Sequence, residues 1–226
     1  MDYHLIRARR KTLTLTVRPD GTVEVRAPLK LSRTIIDGFL EEKAAWIEKQ
    51  QALRREQLLE RSRFRLEPGA VLPFLDRNLT LKTGGGPALE GDILLLPGDD
   101  LRKETEAFYR REAHRILPGK AAFWGQKMGL SPAGITITGA RTRWGSCSAK
   151  GRLSFSWRLL RAPEAAVDYV VVHELAHLRQ MNHSRRFWEV VAAVFPDWKA
   201  RRALLLPVQR RLEAESWNDP PPSGEA

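Results

Sequence analysis

Three of the chain's five histidines, His173, His177 and His183, fall within eleven consecutive residues. The first two enclose Glu174 in an H-E-x-x-H pattern that directly follows the largely apolar run 168–172. Residues four apart share one face of a helix, so both imidazoles can point at a single metal ion. Glu174 projects beside them, where a carboxylate can take a proton from a water on the metal. The segment therefore predicts a helix that carries a catalytic metal site of the zinc-hydrolase type.

His183 constrains the backbone, because a continuous helix cannot deliver it to the same ion. Six residues at about 100° each would rotate it roughly 240° from His177 and move it about 9 Å along the axis. We therefore expect the helix, predicted over residues 163–181, to end before His183. Asn182 is a suitable place, since asparagine tolerates the left-handed conformation that terminates helices. Ser184 is suited to cap the helix that follows.

The favoured ligand set is His173, His177, His183 and a water, because three protein ligands with an open fourth position are typical of a catalytic zinc. Glu189 is the alternative third ligand, as in zinc peptidases that use two histidines and one glutamate. We prefer His183, since neutral imidazole suits zinc and the spacing is compact. Metzincins share this spacing, but Gln180 replaces their glycine and no methionine follows His183. A metzincin assignment is therefore excluded.

Three segments occur in an order that resembles one family. They are R-T-R-W-G-S-C-S at 141–148, H-E-L-A-H at 173–177 and N-H-S-R-R-F-W at 182–188. Together they resemble the YgjP-like family of metal-dependent hydrolases, which is grouped with Wss1-like and SprT-like zinc metallopeptidases. The resemblance extends from about Ile6 to Leu204 and is weakest over residues 64–101.

The resemblance implies an α+β fold with a zincin-like catalytic core, made of a small sheet and the active-site helix, and a smaller N-terminal half. It implies zinc ligands at His173, His177 and His183 and a general base at Glu174. It does not supply a substrate.

Other residues near these motifs are assigned more general roles. Arg143 is the first choice for stabilising an oxyanion, and Arg141 and Tyr169 are the alternatives. Cys147 is expected to be a small buried residue rather than a ligand or nucleophile. Three aromatic residues are expected to pack in the core: Trp144, Phe187 and Trp188.

Composition limits the class of protein. The net charge is +11, and residues 101–226 carry 21 basic and 12 acidic groups, which gives +9. Such a surface favours nucleotides or nucleic acid, although no nucleic-acid-binding motif is present. One cysteine excludes an internal disulfide, and with no secretory leader this predicts a cytoplasmic protein. The sequence contains no apolar run of about 18 residues, so no membrane span is expected.

The chain is expected to comprise a β-rich region with one long helix at residues 1–100, a catalytic domain at 101–216 and a disordered tail at 217–226. Strands are predicted over 3–9, 12–18, 22–27, 70–82, 92–96, 134–138 and 151–157. Helices are predicted over 33–60, 100–129 with a bend near Pro118, 163–181, 184–194 and 197–214.

Three functions remain open. The first is a zinc-dependent peptidase, with the edge of the strand at 151–157 aligning an extended peptide. The second is a metal-dependent hydrolase of a nucleotide or another small phosphorylated substrate. The third is a DNA-associated protein with weak or no catalysis. The sequence favours the peptidase and leaves the oligomeric state open.

Overall fold

The computed structural model describes residues 2–215, without the side chains of residues 60–63. The predicted disordered tail, residues 217–226, lies outside the described residues. The chain forms two compact units, one of Met1–Phe64 with the segment that begins at Leu212, and one of Arg65–Arg211. Residues 65–100 thus belong with the helices that follow them, whereas the sequence analysis placed a boundary at residue 100. A catalytic domain that folds by itself over residues 101–216 stays a prediction.

The first unit contains a three-stranded sheet and two helices. Its elements are β1 (His4–Ala8), β2 (Thr14–Val17), β3 (Val23–Pro28), α1 (Arg33–Glu42) and α2 (Ala44–Arg63). β3 is the central strand, parallel to β1 and antiparallel to β2. A tight turn joins β2 and β3, with Gly21 at a φ of 86°. The single helix predicted over 33–60 is wrong, since the chain turns at Lys43 and so brings Ile47 into the same core as Ile36.

The second unit begins with a four-stranded sheet in the order β4-β5-β7-β6. Its strands are β4 (Val71–Phe74), β5 (Arg77–Thr83), β6 (Ala88–Glu90) and β7 (Ile93–Leu96). The glycine run before β6 forms a loop in which Gly84 and Gly85 have positive φ angles. β6 was not predicted, because its three residues are too few to show an alternating pattern.

A long helix, α3 (Leu101–Met128), follows the sheet. The Asp100 carboxylate accepts a hydrogen bond from the Lys103 N–H at its start, and Gly129 ends it at a φ of 65°. The predicted helix is confirmed, although it continues through Pro118. Four aromatic rings join α3 to β4 and to a 3-10 helix over Trp157–Arg161. They are Phe74, Phe108, Tyr109 and Trp157.

A second small sheet lies beside the histidine-bearing helix. Its strands are β8 (Gly134–Thr138), β9 (Gly145–Cys147) and β10 (Arg152–Ser156), in the order β8-β10-β9. β10 is paired on both sides, parallel to β8 and antiparallel to β9. The proposal that the strand at 151–157 offers a free edge is therefore wrong. The edge nearest the helix belongs to β9, which the sequence analysis did not identify as a strand.

Four helices complete the described part of the chain: α4 (Glu164–Ala176), α5 (Arg185–Val194), α6 (Trp198–Ala203) and α7 (Leu205–Ala214). α4 packs on α3, α5, α6 and β9, and its valines are buried. The helix predicted over 197–214 is interrupted at Leu204. The mixed content of helices and small sheets confirms the α+β fold class. Within residues 2–215, no helix has both the length and the apolar character that a membrane crossing requires.

Candidate metal centre

The histidine-bearing helix ends earlier than expected. α4 stops at Ala176, and His177 occupies its C-terminal cap. The Gln180 N–H then bonds to the Ala176 carbonyl, and the Arg179 guanidinium donates to the Met128 carbonyl at 2.6 Å. The chain therefore turns directly after the second histidine. Asn182 is not left-handed, because Leu75 is the one non-glycine residue with a positive φ among those that the structure describes.

This early turn brings the three histidines together. One ligand atom from each of His173, His177 and His183 lies within 4.8 Å of the others. The two Nε2 atoms of His173 and His183 are 3.0 Å apart, close to the roughly 3.3 Å expected between two nitrogens on a tetrahedral zinc with bonds near 2.0 Å. The structure thus gathers the three residues that the sequence analysis selected.

Contacts of the Nδ1 atoms orient the rings of His173 and His177. The Nδ1 atom of His177 lies 3.1 Å from the Gln180 carbonyl oxygen, to which an Nδ1–H donates. That tautomer leaves Nε2 as the unprotonated nitrogen. The hydroxyl of Tyr169 lies 3.4 Å from Nδ1 of His173, whose Nε2 faces His183. Both contacts hold Nδ1 away from the cluster, so each ring presents Nε2 towards its centre.

The environment keeps the imidazoles of the helix uncharged. Burial lowers the pKa of His173 to about 3, and the charges of His177, His183 and Arg202 act in the same direction. Burial also lowers the pKa of His177, against the raising effect of its bond to Gln180. Because metal ions bind the neutral form of imidazole, these shifts favour a metal site at neutral pH.

Two aromatic residues of α5 support the cluster. The Phe187 ring is fully buried and lies between 4.6 and 4.8 Å from the rings of all three histidines. Trp188 stacks on Trp198 with centroids 4.1 Å apart and also faces His183. Phe187 is core packing, as expected. Trp188 packs too, but it also forms part of the pocket wall.

Glu174 lies against β9 and is 6% exposed. A Cβ atom at Gly145 would stand 2.7 Å from its Cγ and 2.8 Å from its Oε1, so no side chain fits between β9 and the carboxylate. Burial raises the pKa of Glu174 to about 7, while the charge of Arg143 opposes the rise. A carboxyl group with this pKa can both accept and release a proton near neutrality.

A pocket of about 580 Å³ opens over the cluster. Arg143 and Arg202 are exposed and line it together with Tyr169, and Glu174 is its one carboxylate among the described residues. The structure thus places two of the three proposed oxyanion donors at the pocket. Arg141 is not part of the lining. Arg202 was missed because it comes from α6, and no local pattern connects an arginine there with the motif.

The structure separates two other residues from the cluster. Glu189, the alternative ligand, is 59% exposed and pairs with Arg185 at 3.0 Å. The Cys147 thiol donates weakly to the Ser148 carbonyl. Its pKa is raised by burial and by the charge of Glu174, so it stays protonated and is a poor ligand or nucleophile.

His173 and Glu174 lie on a helix that packs against a small sheet, and His177 and His183 complete a cluster of three imidazoles beside the buried glutamate. This arrangement defines the class of metal-dependent hydrolases. Within that class, the chain belongs to the YgjP-like family. The family's model, described as the YgjP-like metallopeptidase domain, matches residues 11–206. The family expected from the sequence segments is thereby confirmed.

Two individual proteins are also similar. The UTP pyrophosphatase of Escherichia coli (strain K12) is 29% identical over 65 residues, which make up 29% of this chain and 39% of that protein. The match thus spans about two fifths of the curated relative. The crystal structure of the metallopeptidase zymogen abylysin from Pyrococcus abyssi is 23% identical with a TM-score of 0.38, covering 41% of this chain and 93% of that one.

Proposed function

We propose that the protein is a zinc-dependent hydrolase whose metal is held by His173, His177 and His183 and whose general base is Glu174. The observation that carries this proposal is the convergence of the three imidazoles, within 4.8 Å, beside a carboxyl group whose pKa is about 7. Three nitrogen donors with room for a fourth ligand fit zinc in a catalytic site. Zinc held there would lower the pKa of a bound water towards neutrality and polarise the group under attack.

Glu174 takes the proton of the attacking water in this proposal. Its carboxylate is the form that accepts, and its pKa of about 7 leaves much of it ionised near neutrality. The carboxylic acid then returns the proton to the leaving group. Gly145 supports this cycle, because its missing side chain leaves space for the carboxylate beside β9.

We propose phosphoanhydride bonds of nucleoside triphosphates as the substrate. Two exposed arginines, Arg143 and Arg202, line the pocket together with Thr142. Guanidinium groups bind phosphate oxygens and stabilise the charge that develops during phosphoryl transfer. The name of the E. coli relative, a UTP pyrophosphatase, supports the same substrate.

Peptide bonds are the second candidate, which the sequence analysis favoured. β9 pairs with β10 on one side, and no described strand pairs with it on the other. An extended peptide could add to that edge next to Glu174. The family's description as a metallopeptidase domain supports this reading. The edge is only three residues long, however, and offers few backbone partners.

One comparison tests both candidates. Zinc-loaded wild type and Glu174→Gln are incubated with UTP and with an unfolded protein, and pyrophosphate and peptide fragments are measured. We expect pyrophosphate release that falls about 10²–10⁴-fold in Glu174→Gln, the usual contribution of a general base, while zinc content is unchanged. Glu189→Gln is the matched control, since its carboxylate is exposed and outside the cluster. Peptide cleavage without pyrophosphate release would select the second candidate, and neither activity would refute the proposal.

A further inference from the structure

The three proposed metal ligands are held in different ways. Contacts of Nδ1 orient His173 and His177, whereas no group of the described residues bonds to Nδ1 of His183. His183 is also exposed, and it comes from the segment between α4 and α5 rather than from a helix. The orientation of its ring therefore depends on contacts with neighbouring rings.

Two aromatic rings of α5 make these contacts with His183. Phe187 meets it edge-on, with centroids 4.7 Å apart and planes at 72°. Trp188 lies more nearly parallel to it, with centroids 5.7 Å apart and planes at 29°. Both separations fall in the range at which aromatic rings attract each other. Trp188 also has a further neighbour, which belongs to another helix.

That neighbour is Trp198, the first residue of α6. Its ring stacks on Trp188 with centroids 4.1 Å apart and planes at 16°. α6 packs on α4, but it is six residues long and none of its residues is buried. A helix this short is not stable by itself, so its position depends on side-chain contacts such as this stack.

α6 also carries a residue of the pocket. Arg202 lies four positions after Trp198 on the same helix, so the two side chains share one helix face. Arg202 lines the pocket over the metal centre. A shift of α6 at Trp198 therefore moves Arg202 as well. Ring contacts and one helical turn thus connect a metal ligand, His183, to an arginine of the pocket.

We propose that Trp188 and Trp198, which we call the tryptophan link, are positioning residues that hold His183 for the metal and couple the metal centre to α6. Zinc binding then fixes α6, and with it Arg202, at the pocket. The metal rests on the proposed function, but no substrate enters the inference. Because coupling between two sites is reciprocal, an α6 that zinc stabilises raises the affinity for zinc by the same factor.

Two measurements on the full chain test the tryptophan link. The zinc Kd is obtained by competition with a chromogenic chelator. Hydrogen exchange of the Arg201 and Leu204 amides, which bond to carbonyls of Asp197 and Arg201, is followed by NMR with and without zinc. Trp198→Leu removes the stack, and Trp198→Phe keeps a ring in its place. Trp46→Leu is the matched control, because it removes a 44% exposed indole from the other unit.

We expect zinc to slow exchange of these amides about tenfold in the wild type, a coupling of ordinary size. Trp198→Leu should lose that slowing and bind zinc about tenfold more weakly, by the same reciprocity. Trp198→Phe should recover most of both, since a phenyl ring can still stack on Trp188. Trp46→Leu should change neither. A Trp198→Leu protein with the zinc affinity or the exchange slowing of the wild type overturns the link.

Thermal melts without zinc establish that each variant is folded. If Trp198→Leu is not, Trp188→Phe decides, because its smaller ring overlaps less with Trp198 and should reduce both quantities; unchanged values there overturn the link. Wild-type protein that binds zinc while the variants behave like it refutes the link alone. Wild-type protein that binds no zinc refutes the link and the proposed function together.

Discussion

Glu174 and Gly145 form one functional unit, although they lie 29 positions apart in the sequence. The carboxylate occupies the space that a side chain on β9 would need. This is a constraint on residue type rather than on backbone conformation, since Gly145 does not have a positive φ. The absence of a side chain at Gly145 therefore leaves room for Glu174, the proposed general base.

We predict that Gly145→Ala lowers hydrolytic activity at least tenfold, because the added Cβ would stand 2.7 Å from Glu174 and displace the base. Overpacking of this kind also costs about 1–3 kcal/mol of folding free energy. Gly119→Ala is the control, since its Cβ meets nothing within 4 Å and alanine is favoured inside a helix by about 0.5–1 kcal/mol. Activity and thermal melts check both variants; full activity in Gly145→Ala would contradict the assigned position of Glu174.

The residues of the site were predictable to different degrees. His173, Glu174 and His177 follow from helix periodicity, and His183 follows from nearness in sequence and from the need for a turn. Arg202 was not predictable, because the approach of α6 to α4 depends on packing between residues distant in sequence. Gly145 lay in a segment singled out by resemblance, but its role needed the position of β9.

The turn after α4 is the element that sets the geometry of the cluster. The helix was expected to end before His183, near Asn182, but α4 ends at least five residues earlier, at Ala176. The actual end follows from contacts outside the helix, above all the bond from Arg179 to the last turn of α3. The residues near Arg179 in the sequence do not indicate that it bonds to α3, so the end of α4 could not be predicted from them.

We expect Arg179→Ala to destabilise the protein by about 1–2 kcal/mol, since it removes a charge-assisted hydrogen bond to the Met128 carbonyl. Because the turn also carries His177, zinc affinity should fall several-fold. Urea unfolding and zinc titration measure the two effects. Arg186→Ala provides a comparison, as this exposed residue of α5 should change stability by less than about 0.5 kcal/mol. A neutral Arg179→Ala would mean that α3 does not hold the turn.

At the scale of the whole molecule, all three proposed ligands lie in the unit Arg65–Arg211. The sequence correctly indicated mixed helices and small sheets but divided the chain at residue 100. In the sequence, the strands β4 to β7 form a pattern of their own. Their contacts with α3, which include those of Phe74 with Phe108 and Tyr109, show that they belong to the same unit as the helices that follow.

Zinc should stabilise the folded chain, because a ligand that binds only the native state adds about 2.7 kcal/mol at one hundred times its Kd. For a chain of this size that corresponds to a rise in Tm of roughly 5–10 °C. Differential scanning calorimetry of metal-stripped protein, with and without zinc, measures the shift. His183→Ala should lose most of it, and His114→Ala, on α3, should keep it. An equal shift in all three proteins would point to binding elsewhere.

His173, His177 and His183 are proposed to hold a catalytic zinc. Anomalous diffraction at the zinc absorption edge, from crystals of the zinc-loaded protein, tests this proposal directly. We predict one strong peak about 2.0–2.1 Å from a nitrogen of each of His173, His177 and His183, with Glu174 near but not bound. A peak coordinated by Glu189 instead of His183, or no peak at the cluster, would contradict the account.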